Sequence, residues 1–125
     1  MKLHHLALRS SQPHLLAEFY CEIMELPVVR TQPHGVWLGL EDAVLMIEQA
    51  GPGEPVVPTG DLALMAFRVD AAEQSAVRAR LAARGLPVEA ESAYTLYFRD
   101  PEGRRVGVST YPLPELRISP PRRRA

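Results

Sequence analysis

The sequence predicts an α+β fold made of two tandem βαβββ modules whose curved mixed sheets form a cleft. Three observations carry that expectation. The apolar pattern alternates between a two-residue and a helical period in the order strand, helix, three strands, and it runs through that order twice. A segment over 51–60 holding three prolines and three glycines separates the two runs. Landmarks return at matching places: Leu26-Pro27-Val28 in the first half is answered by Leu86-Pro87-Val88 in the second.

Element by element, a strand is expected over 2–9, and Ser10-Ser11-Gln12-Pro13 should start a helix. Serine ahead of a first-turn proline is an N-terminal helix signal. Leu15, Leu16, Phe19, Tyr20 and Ile23 recur at helical spacing as far as Glu25. Cys21 sits within that pattern and suits a small buried apolar role. Strands over 28–32, 36–40 and 43–49 follow, with turns at Pro33-His34-Gly35 and Glu41-Asp42. The second half opens with a strand from Leu62 to Val69, and Asp70 with Glu73 has the spacing of a capping box. A helix through Val77, Arg80, Leu81 and Arg84 should stop at Gly85. Strands over 87–90, 94–99 and 105–111 complete the second module.

The expected organisation is one domain over 1–113, with module 1 at 1–50, the linker at 51–60 and module 2 at 61–113. A Pro/Arg-rich tail over 114–125 follows, and Arg122-Arg123-Arg124 suits a frayed, solvated end. With 125 residues, 46% of them hydrophobic, there is enough apolar surface for one normal core. A net charge of -1 argues against nucleic acid or an anionic membrane as partner. A single cysteine excludes an internal disulfide framework. No apolar run approaches the ~18 residues of a membrane span, so a cytoplasmic protein is the expectation.

Strand alternation divides each sheet into two faces. Leu6, Leu8, Val36, Leu38, Leu40, Leu45, Ile47, Met65, Phe67, Val69, Val106 and Val108 should pack beneath the helices. The opposite face carries His5, Ala7 and Arg9, then Trp37, Gly39, Val44, Met46 and Glu48. From the second half it carries Leu64, Ala66, Arg68, Thr95, Tyr97, Arg99, Arg105, Gly107 and Ser109. A face of mixed chemistry, with Trp37 and Tyr97 and a rim of arginines, suits a lined ligand cavity. The alternative is a second, smaller core closed by the opposing module. Arg68, Arg99 and Arg105 read as solvated rim residues, while three on one face favour a carboxylate-bearing ligand.

Three segments resemble the glyoxalase/bleomycin-resistance/extradiol-dioxygenase proteins of the vicinal oxygen chelate superfamily. Leu3-His4-His5-Leu6-Ala7-Leu8, with Glu18-Phe19-Tyr20 before Leu26-Pro27, resembles their opening. Met65-Ala66-Phe67-Arg68-Val69-Asp70, with Leu81 to Val88, resembles the start of their second module. Tyr97-Phe98-Arg99-Asp100-Pro101-Glu102-Gly103 resembles their closing turn. The resemblance implies a divalent metal held on the cleft face by residues of the first and last strand of each module. Carried over position by position, the ligands fall on His5, Met46, Leu64 and Gly107. A thioether, an isobutyl group and a bare backbone cannot complete a nitrogen and oxygen ligand set. Glu48, two residues beyond Met46, is the fallback partner of His5 if a bulge moves it. His4 should point to the helix side, and His14 and His34 fall in a first helical turn and a loop tip.

The leading functional expectation is a metal-free protein, with no cofactor, that binds or sequesters a small, partly aromatic molecule. Trp37, Val44, Met46, Leu64 and Tyr97 would cover its apolar surface, while His5, Thr95 and Arg99 would place polar contacts. The resemblance also implies a homodimer, with the cleft built within one chain or between two. The first alternative is a metal-dependent lyase, isomerase, thiol transferase or dioxygenase with an atypical ligand set. Another is a cofactor-free enzyme using His5 as general base, since imidazole suits proton transfer near neutral pH. A structural or regulatory protein whose cleft is merely core is the last.

Overall fold

The computed structural model describes residues 1–113; the tail expected over 114–125 lies outside the described residues. The first module comprises β1 (His5–Ser10), α1 (Pro13–Met24), β2 (Val28–Gln32), β3 (Gly35–Gly39) and β4 (Val44–Gln49). The second comprises β5 (Leu64–Arg68), α2 (Ala71–Ala83), β6 (Ala90–Glu91), β7 (Thr95–Arg99) and β8 (Arg105–Ser109). Each module forms a four-stranded sheet, ordered β1-β4-β3-β2 and β5-β8-β7-β6. In both, the first strand runs parallel to the last and the other pairs are antiparallel. A parallel pair needs a crossover, and here the helix and two intervening strands supply it.

The two helices form for different local reasons. In α1, Leu16, Phe19, Tyr20 and Ile23 make one apolar stripe and are at most 5% exposed. Leu15, expected with them, is 57% exposed, because it sits on the rim of the stripe beside an open groove lined by Glu22 and Arg84. The serine cap also departs from expectation. Gln12 occupies the N-cap and makes no side-chain cap bond. Ser10 works two residues earlier, accepting from the Gln12 amide at 3.0 Å and donating to Glu102. Cys21 is half-buried rather than buried, and that burial raises its thiol pKa with help from Glu18. In α2 the capping box is present: Asp70 accepts from the Glu73 amide at 2.7 Å and Glu73 accepts from the Asp70 amide at 3.3 Å. This helix buries only Val77 and Leu81, so its ends contribute more of its definition than its packing does.

Alternation along the central strands behaves as expected. Val36, Leu38, Leu45, Ile47, Val106 and Val108 are buried, and Leu8, Met65, Phe67 and Val69 pack partly against them. Leu6 does not join them and is exposed, because β1 is an edge strand with a neighbour on one side only. The strand expected over 87–90 is reduced to Ala90–Glu91. Leu86 instead closes the helix, its amide donating to the Leu81 carbonyl at 2.9 Å past Gly85, whose φ is +66°.

One core serves both modules. Phe19 of α1 lies 6.2 Å from Phe98 of β7, and the Arg80 Nε of α2 donates to the Ile23 carbonyl at 2.8 Å. The turn after β7 joins this junction. Asp100 accepts from the Tyr20 hydroxyl at 2.7 Å and from the amides of Glu102 and Arg104 at 2.9 and 3.0 Å. Arg104 reaches Glu102 at 2.9 Å and the Arg9 carbonyl at 2.6 Å. Burial opposes the charge on Arg104, and Glu102 together with Asp100 outweighs that penalty. The Tyr20 hydroxyl is pushed far above its ordinary value, first by burial and then by the Asp100 charge. Among the described residues, no helix is long and apolar enough to cross a membrane.

Candidate functional site

The ladders fix what shares each open face. In module 1 the rows read His5–Val44–Gly39, Ala7–Met46–Trp37–Arg30 and Arg9–Glu48–Gly35. In module 2 they read Leu64–Arg105–Arg99, Ala66–Gly107–Tyr97 and Arg68–Ser109–Thr95. His5 is thus matched by Leu64, Met46 by Gly107 and Trp37 by Tyr97. The repeat expected from sequence is a repeat of register. On both first strands, β1 and β5, these face residues are exposed.

His5 is not alone at its position. Its Nδ1 lies 2.8 Å from the Nδ1 of His4, and the two rings meet edge to face. One nitrogen donates and the other accepts, so the two rings take complementary tautomers. His4 was expected on the helix side, but it precedes β1 and escapes strand alternation. His14 turns to the Gln32 carbonyl at 3.2 Å.

Trp37 and Tyr97 each lie beneath a guanidinium. Arg30 sits 5.0 Å from the Trp37 ring centroid and Arg105 sits 4.3 Å from that of Tyr97. Trp37 Nε1 and Arg105 Nε are both buried and lack a hydrogen-bond partner. Thr95 Oγ1 donates to Ser109 Oγ at 2.7 Å, so the hydroxyl expected to face a ligand is engaged across the ladder. Arg99, also expected at the ligand, is committed: it binds Glu89 at 2.8 Å, the Gly103 carbonyl at 3.1 Å and the Asp61 carbonyl. That hydrogen bond holds the Glu89 carboxyl below its ordinary range.

Arg30 was absent from the sequence-based set, and Arg105 was placed there only on the rim. The alternation of β8 already put Arg105 two residues from Gly107 on the Tyr97 face. What sequence could not show was that, among the described residues, Arg99 would be paired with a carboxylate while Arg30, Arg68 and Arg105 would not.

The positions that resemble metal ligands do not assemble a ligand set. Only His5 offers a hard or borderline donor among His5, Met46, Leu64 and Gly107. Glu48 is opposite Arg9, while His5 is opposite Val44, four residues back along β4. That separation is about 13 Å at ordinary strand rise, so the fallback pair is not brought together within the chain. Among the described residues no group of three or more His, Cys, Asp or Glu converges.

Trp37 and Tyr97 do not line a common cavity among those described. One cavity of about 740 Å³ lies instead under the linker, against Arg9, Glu54, Val57, Glu102 and Arg104. Its charges are internally paired: Glu54 accepts from Arg9 at 3.1 Å and from the Gly51 amide at 2.9 Å. A second, of about 280 Å³, lies between the two edge strands against Leu6, Leu8, Leu64 and Arg105.

The sequence matches the Glyoxalase/Bleomycin resistance protein/Dioxygenase superfamily over residues 2–108. Among solved structures, the chain is similar to a lactoylglutathione lyase from Agrobacterium tumefaciens (23% identity, TM-score 0.67, covering 86% of this chain and 92% of that one). It is also similar to the oxidase ChaP-H2 (17% identity, TM-score 0.71, covering 90% and 94%). An integron cassette protein from the mobile metagenome of V. Pseudocholerae is a third neighbour (24% identity, TM-score 0.71, covering 90% and 96%). At such identities the likeness establishes the fold. No curated protein matches the sequence.

Proposed function

The chain belongs to the Glyoxalase/Bleomycin resistance protein/Dioxygenase superfamily, and from that premise we propose that it is a metal-free protein that binds a small, partly aromatic molecule on its open sheet faces. The donor chemistry of the four equivalent face positions carries the reading. His5 is matched by Leu64 and Met46 by Gly107, which leaves one imidazole where a metal site needs several ligands. The aromatic surface of Trp37 and Tyr97 supplies apolar area for a planar ligand, and Met46, Val44 and Leu64 extend it. Both faces are open along β1 and β5, so we place the binding cleft between two copies of the chain in a homodimer.

A thermal-shift screen of planar aromatic compounds tests the reading. Stabilisation by members of that class is expected, and a flat response to all of them overturns it. Sedimentation of the protein with and without a stabilising compound checks the dimer.

A second reading is favoured by the likeness to a lactoylglutathione lyase and an oxidase. In it the chain is a metal-dependent enzyme whose ligands include His5 of one copy and Glu48 of another. Elemental analysis after incubation with Mn²⁺, Ni²⁺, Zn²⁺ or Fe²⁺ decides between them. A stoichiometric metal lost in His5→Ala establishes the second reading and removes the first.

A further inference from the structure

We propose that the module 2 face recognises the anionic group of its ligand, a carboxylate or similar oxyanion, through the Arg105 guanidinium. This rests on reading that face as a ligand surface and names the class of ligand it takes.

The first argument is an unmet demand. Arg105 Nε is buried without an acceptor, and a buried charged donor left unpaired is unfavourable enough to be rare. Neither orphaned donor lies in the shared core, since Trp37 Nε1 and Arg105 Nε both belong to cation–π pairs on the open faces. One lies in the Arg30–Trp37 pair and the other in the Arg105–Tyr97 pair, on the two related sheets.

The second argument concerns what is nearby. The face positions of β5, β7 and β8 include Arg68, Arg99 and Arg105 and no carboxylate. Glu89 is close enough for Arg105 to help hold its carboxyl low, but both of its oxygens accept from Arg99. Arg99 is therefore neutralised internally, while Arg105 forms no ion pair with any described carboxylate.

The third argument is geometry. With its Cζ 4.3 Å from the Tyr97 ring centroid, the guanidinium is held over the ring before a ligand arrives, which lowers the entropic cost of ordering it. A planar fork of this kind matches two oxygens of one anion, as an ammonium does not. Leu64 lies opposite Arg105 in the ladder, so the anion's apolar body would rest on Leu64 and Tyr97 while its charge meets the fork.

Benzoate and its uncharged counterpart benzamide are the probes, and the arginine Nε–H signals of ¹⁵N-labelled protein are the readout. The Arg105 signal, assigned by its loss in Arg105→Lys, should move saturably with benzoate and stay still with benzamide. Arg105→Gln should weaken benzoate binding about tenfold or more, the scale of one charge-assisted hydrogen bond. Tyr97→Leu should weaken it too while leaving the Arg105 signal in the spectrum. Equal movement with benzamide, no response to benzoate, or unchanged benzoate binding in Arg105→Gln overturns the inference. Stabilisation by neutral aromatic compounds alone overturns this inference and leaves small-molecule binding standing. A flat response to charged and neutral compounds alike removes both.

Discussion

At the scale of single residues, the consequential side chains are those whose partners sequence could not reveal. Asp100 lies in a turn that reads as a family signature, yet its side chain is fully buried and carries the junction between modules. Replacing it with alanine leaves the Tyr20 hydroxyl and the amides of Glu102 and Arg104 unanswered, so a loss of about 3–5 kcal/mol is expected in denaturant melts. Tyr20→Phe removes one donor to the same carboxylate and should cost about 1–3 kcal/mol. Glu54 makes a separate claim about pH. Hydrogen bonds from Arg9 and Gly51 lower its carboxyl from an ordinary 4.5 to about 2. A depressed carboxylate contributes stability above its unfolded value and loses it as pH falls through the folded one. The linker should therefore stay clasped to Arg9 at pH 4 and release towards pH 2, which NMR of the Gly51 amide would follow. Release already complete at pH 4 would contradict the pairing. Arg99 teaches the converse: it looked like a ligand contact by alternation, but Glu89 had claimed it. Satisfaction of a donor is a property of neighbours in space, and a one-dimensional pattern holds no record of it.

At the scale of elements, period and capping were legible where burial is one-sided. Val36, Leu38, Leu45 and Ile47 announce their strands because a central strand is covered on the helix side along its whole length. Leu6 and Leu15 have the right residue type and spacing but lie at an edge and on a rim, and edges are set by topology. The same holds for the vanishing strand near Ala90, where the close of α2 consumes Leu86. For α2, with two buried residues, end chemistry should dominate. Asp70→Ala breaks the capping box and is expected to cost about 1 kcal/mol, visible as a lower melting temperature. Asp70→Ser should recover most of it. If both variants melt alike, the cap is not what defines the helix.

At the scale of the whole molecule, the duplicated order was readable but the shared core was not. Sequence suggested two modules facing a cleft. The structure adds that Phe19, Tyr20, Ile23, Arg80 and Phe98 bind them into a single packed unit. The halves should then unfold together. The sequence's one tryptophan, Trp37, reports on module 1 alone. Phe98→Ala, in module 2, should destabilise the protein by about 3–5 kcal/mol and lower the Trp37 fluorescence transition by the same amount as the helix signal. A Trp37 transition that ignores this substitution would show that the modules fold independently.

The parallel pairing of β1 with β4 has a consequence for synthesis. His5 emerges from the ribosome long before Val44, the residue it must join, so the first strand has no ladder partner until most of its module has been made. Ser10 and Arg9 wait longer still for Glu102 and Arg104. Contacts so distant along the chain slow folding and leave an unpaired strand edge waiting in the nascent polypeptide. A protein arranged this way completes its fold only once Glu102 and Arg104 have been made, and its fragile period is the interval before that.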